Sequence, residues 1–238
     1  MVGASIGRGA KRILDELVYW LVNGGVHPNV LTCIGVGINV LCALLFGLGH
    51  FFWAGIVMIL ANLFDMLDGR VARETGQVTK FGAFLDSSLD RLSDMVVFVG
   101  ILFFYATNTP QRSMTNVFLA AVGLMFSVMV SYTSARAESL IPKNDVGFLR
   151  RPERIVLLII GALTHVPGSD GFFANRMPAV LWILAIGNLW TFVQRMIYTF
   201  SELERIERAA TGAIETEEKT SETAPRLEKG KTEPQPAH

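Results

Sequence analysis

Apolar residues gather into six blocks along this chain, over residues 30–49, 51–67, 81–106, 117–132, 155–166 and 178–198. A helix needs about 20 apolar residues to cross a hydrocarbon core of roughly 30 Å. The first block meets that length with almost nothing but apolar and small side chains. The third is long but polar through its first third, and the fifth reaches span length only if its helix runs beyond the block. Ahead of them, residues 13–22 place apolar side chains at helical spacing but are broken by Asp15 and Glu16. That pattern predicts an amphipathic helix on a membrane surface rather than a cleavable signal peptide. After Ser201 charges alternate at helical spacing, so the last helix is expected to continue into water. Residues 219–238, rich in Thr, Glu, Lys and Pro, hold too little apolar surface to fold and are expected to be disordered.

The expected architecture is therefore all-α and polytopic, with six transmembrane helices. A segment over 1–29 carries the surface helix, a six-helix membrane domain covers 30–200, and a tail over 201–238 is helical and then disordered. No internal repeat is visible, which speaks against transporters built from inverted repeats.

Composition agrees with a bilayer. Of the 238 residues 51% are hydrophobic, and the mean hydropathy is +0.41, too apolar for an ordinary soluble domain. The 21 basic and 21 acidic residues cancel, so no global field points to nucleic acid. Local charge is more telling. Arg8, Lys11, Arg12, Arg70, Arg73, Lys80, Arg136, Lys143, Arg150, Arg151, Arg154, Arg205 and Arg208 fall on one set of connections, and only Arg112 and Arg176 on the other. By the positive-inside rule both termini and residues 65–90 face the cytoplasm, which for a prokaryote means the inner membrane. Cys33 and Cys42 stand nine apart on one expected helix, a rise of roughly 13 Å. A disulfide needs Cα atoms within about 7 Å, so both are read as buried thiols.

The stretch DMLDGRVARETGQVTKFGAFLDSSLD, residues 65–90, sets four aspartates at or near the ends of two apolar blocks. Asp65 and Asp68 share one helix face, as do Asp86 and Asp90. The polar turn over 74–80, with Gly76, lets the two helices run antiparallel and brings the pairs together. Four lone carboxylates at a bilayer centre would cost about 10 kcal/mol on insertion scales, comparable to the whole stability of a domain. Their place near helix ends lowers that figure, yet their convergence still calls for a counter-charge. Arg73 and Arg91 offset part of it. Converging oxygen donors suit Mg²⁺, and two ions ~4 Å apart could clamp a pyrophosphate. Two hydrated acid pairs are the plainer alternative. Gly69, Ala72 and Gly82 leave room for a flat ligand against both backbones, or simply for helix-on-helix packing.

Read together, Asp65-x-x-Asp68-Gly69-x-x-Ala72-Arg73, eight residues, then Gly82-x-x-x-Asp86-x-x-x-Asp90 resembles the signature of the CDP-alcohol phosphatidyltransferases, with every position filled. Pro28-Asn29-x-x-Thr32 resembles that family's Pro-Asn-x-x-Thr, although Asn29 acting as a helix N-cap accounts for it equally well. The resemblance covers all six blocks. It implies six spans with cytoplasmic termini and a homodimer. It also implies transfer of a phosphatidyl group from CDP-diacylglycerol to a small polar alcohol, releasing CMP. Asp65, Asp68 and Asp86 would hold the metal, Mg²⁺ with Mn²⁺ as the alternative and two ions in all. Asp90 would complete that site and act as general base. Asn29, Thr32, Gly69, Ala72, Arg73 and Gly82 would border the nucleotide.

For the acceptor, the cytoplasmic loop and the last block place Arg136, Arg150, Arg151, Arg154 and Arg195 near helix ends. Loop arginines follow from the positive-inside rule alone, but Arg195 lies within an apolar block. Arginine forks suit phosphate, so a phosphorylated acceptor is expected. Ala135-Arg136-Ala137-Glu138, Arg151-Pro152-Glu153-Arg154 and Gln194-Arg195 resemble the phosphatidylinositol-phosphate synthase branch, which implies an inositol phosphate pocket lined by Arg136, Arg154 and Arg195. That branch often has lysine where this chain has Ser134, so glycerol 3-phosphate, free inositol and serine stay open. Two more distant readings are an intramembrane prenyltransferase, which would not require Gly69, Ala72, Arg73 and Gly82 at these spacings, and a cation carrier, which predicts acids deeper in several helices.

Overall fold

The computed structural model describes residues 14–107, 110–141, 146–165 and 176–223, and among them every regular element is a helix. In chain order these are α1 (14–23), α2 (Pro28–Gly47), α3 (Phe51–Glu74), α4 (Lys80–Ala106), α5 (Met114–Ala137), α6 (Arg151–Leu163) and α7 (Met177–Thr223). Four helices are long and apolar enough to cross a membrane: Pro28–Gly47, Phe51–Glu74, Met114–Glu138 and Met177–Ala209. The expectation was six. α4 falls short because Asp86, Asp90, Arg91 and Asp94 occupy its first half. α6 has 13 residues and reaches only about 20 Å at 1.5 Å per residue. It starts at Arg151, a turn before the apolar block, and ends at Leu163, where the Thr164 hydroxyl donates to the Ile160 carbonyl oxygen at 2.6 Å. Phe172 and Phe173 lie outside the described residues.

Neighbour relations close the long helices into a ring, in the order α2, α3, α6, α7, α5, α4 and back to α2. Small residues let the helices approach. A Cβ at Gly100 on α4 would collide with the Ala43 carbonyl of α2, and one at Gly123 on α5 would come within 3.1 Å of the Phe98 ring. Close packing of this kind holds helices together where lipid removes the hydrophobic drive. At the far end from the α3–α4 turn, Phe51 meets Phe46 and Phe104 edge-on, with ring centroids 5.3 and 4.7 Å apart. Buried polar bonds tie α7 to α5: Asn188 Nδ2 donates to Gly123 O at 3.1 Å, and Arg195 Nη1 to Val130 O at 2.7 Å. Large apolar side chains such as Leu44, Trp53, Phe103, Phe118, Trp182 and Ile186 stay exposed, far more apolar surface than a water-soluble monomer shows. The chain is an integral membrane protein.

At the start of the chain, Val18 of α1 is wholly buried against Leu31, Leu67 and Val71, while Asp15 pairs with Arg70 of α3. Three expectations change. The N-cap of α2 is His27, whose Nδ1 accepts from the Asn29 N–H at 3.2 Å, so Asn29 is not the cap. Pro28 at the first helical position fixes that register, since a proline there removes no helical bond. Cys33 is exposed and only Cys42 is buried; both are free. α7 continues to Thr223, into the stretch read as disordered, because Glu and Lys carry helical propensity without a core to pack on.

Candidate active site

The turn between α3 and α4 builds the acidic side. Gly76 adopts φ +66° there, a conformation that glycine enters without a Cβ penalty. Thr79 then caps α4, its Oγ1 accepting from the Gly82 N–H at 2.9 Å. The reversal sets Asp65 and Asp68 of α3 against Asp86 of α4, with one carboxylate oxygen from each within 4.8 Å of the others. Asp68 is 5% exposed, and its Oδ2 has no hydrogen-bond partner among the described residues. A buried carboxylate oxygen without a donor is costly, and three hard oxygens at this spacing fit a divalent cation of the Mg²⁺ or Mn²⁺ type. Asp90, one turn further along α4, lies outside this trio but beside Asp65. Its Oδ2 lies 2.7 Å from Arg151 Nη1, which is also 2.9 Å from Asp65 Oδ2.

Two cavities open beside the aspartates. The first, about 250 Å³, is walled by Asn29 and Thr32 of α2, Gly69, Ala72 and Arg73 of α3, and Gly82 of α4, together with Asp68 and Asp86. All six residues expected at a nucleotide therefore share one wall. A Cβ at Gly82 would stand 3.0 Å from Thr79 Oγ1 and 3.3 Å from Asn29 Oδ1, so glycine keeps that wall open. With capping assigned to His27, the Asn29 side chain is released to face the cavity.

The second cavity, about 220 Å³, is lined by Asp90 and Asp94 of α4, Ser131, Ser134 and Glu138 at the end of α5, and Arg150, Arg154 and Arg195. Arg154 is 3% exposed; its Nη2 lies 3.3 Å from Asp94 Oδ2, and its Nη1 has no partner among the described residues. Arg195 gives Nε to the Val146 carbonyl at 2.9 Å as well as Nη1 to Val130, so it joins α5, α7 and the loop before α6 while forming part of the wall. Arg136 is exposed, its Nη1 3.4 Å from Ser139 Oγ, and is not in that wall. Ser134, which stands where lysine is common in the resembling branch, donates to Glu138 Oε1 at 3.2 Å. Below both cavities a void of about 20 Å³, lined among others by Asn39, Asn62, Ser93 and Ser127, has room for a single water.

Sequence reasoning missed Asp94 altogether, and it placed Arg151 among the arginines near helix ends without pairing it to the aspartates. Asp94 continues the four-residue ladder of Asp86 and Asp90, so the helical period alone pointed to it. Arg151 gave no such signal, because only the packing of α6 on α3 brings it to Asp65, 86 positions away.

The family model for CDP-alcohol phosphatidyltransferase matches residues 25–201. Phosphatidylinositol phosphate synthase of Mycobacterium tuberculosis is 37% identical over 203 residues, 84% of this chain and 91% of that protein. The protein of the same description from Streptomyces avermitilis is 35% identical over 209 residues, 85% of this chain and 83% of its own length. The crystal structure of the M. tuberculosis synthase with CDP-DAG bound superposes with a TM-score of 0.72 at 36% identity, over 79% of this chain and 94% of that one. Its complex with manganese and citrate gives 0.70 at 36% identity, over 79% and 88%.

Proposed function

This chain belongs to the CDP-alcohol phosphatidyltransferase family, and we propose that the alcohol it serves is inositol phosphate, giving phosphatidylinositol phosphate and CMP. One observation carries the reading. Asp86 lines the 250 Å³ cavity and Asp90, one turn along the same helix, lines the 220 Å³ cavity. A reacting phosphorus at the aspartates is thus within reach of a nucleotide on one side and an acceptor on the other. The related synthases and the CDP-DAG complex support CDP-diacylglycerol as the donor.

Asp65, Asp68 and Asp86 would hold the divalent metal, with Asp90 at its edge; the acid trio and the manganese-bound relative support metal use. We read two ions, Mg²⁺ or alternatively Mn²⁺. When bound, the metal would offset the charge of the pyrophosphate. Asn29, Thr32, Gly69, Ala72, Arg73 and Gly82 take the cytidine and its phosphates. Arg154 and Arg195 receive the acceptor's phosphate, since guanidinium forks match its oxygens, whereas Arg136 lies outside that wall. Asp90 takes the acceptor's hydroxyl proton. The hydroxyl oxygen bonds to the lipid-side phosphorus, the bond from that phosphorus to the bridging oxygen breaks, and CMP leaves with the electron pair.

The bilayer completes the site. In this reading α2–α7 form a six-span domain over residues 30–200, α1 lies at the membrane surface within 1–29, and the tail over 201–238 extends into the cytoplasm. The aspartates face the cytoplasmic side of the inner membrane, where the lipid can keep its acyl chains in hydrocarbon while its headgroup meets them. A homodimer is the assembly we expect.

The test is CMP release by purified protein given CDP-diacylglycerol, Mg²⁺ and a panel of acceptors. Inositol phosphate should outpace glycerol 3-phosphate, inositol and serine, and excess chelator should stop the reaction. Preference for glycerol 3-phosphate would keep the chemistry and reassign the acceptor. Ser134 makes that comparison worth running first.

A further inference from the structure

Arg151 already supplies a positive charge to the acidic cluster. Its Nη1 lies 2.9 Å from Asp65 Oδ2 and 2.7 Å from Asp90 Oδ2, and its Nε lies 3.5 Å from Asp94 Oδ1. Asp94 is held from its other oxygen by Arg154, whose side chain is 4% exposed. One guanidinium from α6 therefore faces three carboxylates of α3 and α4. It is close to Asp65 and Asp90 through Nη1, and in a looser ion pair with Asp94, which lies outside the signature, through an Nε that makes no hydrogen bond among the described residues. Arg151 also lines the arginine cavity, so both surroundings adjoin its side chain.

We propose that Arg151, aimed by Asp94, is a built-in counter-cation that occupies Asp65 and Asp90 until a divalent ion binds and displaces it into the acceptor cavity. The inference rests on reading Asp65 and Asp90 as part of a metal site. A guanidinium and a divalent ion cannot share Asp65 without strong like-charge repulsion, so binding of the ion requires Arg151 to withdraw. Arg151 then adds its charge beside Arg154 and Arg195. An anion in that cavity draws Arg151 the same way, so anion and metal strengthen each other's binding, and the linkage is reciprocal. In the absence of metal, the arginine keeps the acids from standing unpaired at the membrane edge, where such groups are costly. Asp94 is a positioning residue in this scheme and needs no contact with substrate.

Mn²⁺ affinity of the full chain in detergent, measured by electron paramagnetic resonance of the free ion without CDP-diacylglycerol or acceptor, tests this. Arg151→Gln should tighten Mn²⁺ binding about tenfold, within the usual range for coupled sites. Sulfate, as a probe for the anion cavity, should tighten it in the native chain and have no effect in Arg151→Gln. Arg91→Gln removes the same charge from a neighbour in the same cavity and should change the affinity far less. If Arg151→Gln does not give monodisperse protein, Arg151→Met decides by the same criterion, since it too removes the charge while keeping a long side chain. A native chain that binds no Mn²⁺ would remove the metal reading and this inference with it. Native binding that Arg151→Gln leaves unchanged, or that Arg91→Gln improves equally, would overturn the counter-cation alone.

Discussion

The acidic side and the arginine side of the site meet along one face of α4, yet the chain assembles them differently. Asp65, Asp68, Gly69, Ala72, Gly82 and Asp86 come from two helices and the turn between them. Their mutual positions follow from helical period, one left-handed glycine and α2, on which both helices pack. The arginine side draws on distant positions: Arg154 reaches Asp94 across 60 residues, Arg151 reaches Asp65 across 86, and Arg195 reaches Val130 across 65. Three helices consecutive in the chain fix the first half. Helix packing fixes the second, so its arginines carry structural and ligand-binding duties together. Changes on the acidic side should therefore act on chemistry with little loss of stability, and changes on the arginine side should mix the two.

The largest expected effect tests the join. Asp90→Asn should lower kcat by about 10²–10⁴-fold, the usual contribution of a general base, and leave CDP-diacylglycerol binding intact. Undiminished turnover would remove the base from α4. Next, Arg154→Ala should raise the acceptor KM about 10- to 100-fold, the range expected for a lost charged hydrogen bond of about 1.5–3 kcal/mol, without moving the KM for CDP-diacylglycerol. Equal shifts in both KM values would erase the division between the cavities. Arg195→Ala separates the two duties. It leaves the Val130 and Val146 carbonyls without this donor, so about 1–3 kcal/mol of stability should go with it, visible as a lower Tm alongside a higher acceptor KM. A raised KM at unchanged Tm would make Arg195 a ligand residue only.

Gly82→Ala probes the opposite wall. The new Cβ would press on Thr79 Oγ1 and Asn29 Oδ1, so the KM for CDP-diacylglycerol should rise several-fold while the acceptor KM holds. Arg136→Ala should have the smallest effect, a few tenths of a kcal/mol at most for an exposed charge, because Arg136 lies outside the arginine wall. A large rise in acceptor KM would show that the α5 end folds over bound acceptor.

How much of this was legible beforehand follows the same division. The spacing of Asp65 through Asp90 was readable because a helix repeats every 3.6 residues, and the cavity wall agrees with the residues that spacing singled out. Asn29 illustrates a narrower limit: its sequence allowed a cap or a ligand, and the Nδ1 of His27 took the cap. For α4 and α6, the apolar blocks gave the right positions, but polar residues that serve the site take up helix length, so neither is long and apolar enough to cross by composition alone. Among the arginines, Arg154 and Arg195 share a cavity, whereas Arg136 does not join them and Arg151 turns to the aspartates as well. Side chains on separate helices carry no periodic signature of one another.

By itself, the sequence determined an all-helical membrane protein, the family to which it belongs, and the helix faces on which three acids stand beside one turn, since each depends on hydrophobic period, motif spacing or helical period. Only the tertiary structure decided that helices α2–α7 close into a ring, that Asp94 holds Arg154, and that Arg151 lies across Asp65 and Asp90. Those relations arise where helices far apart in the chain pack side by side, and the free energy that selects them belongs to the assembled bundle.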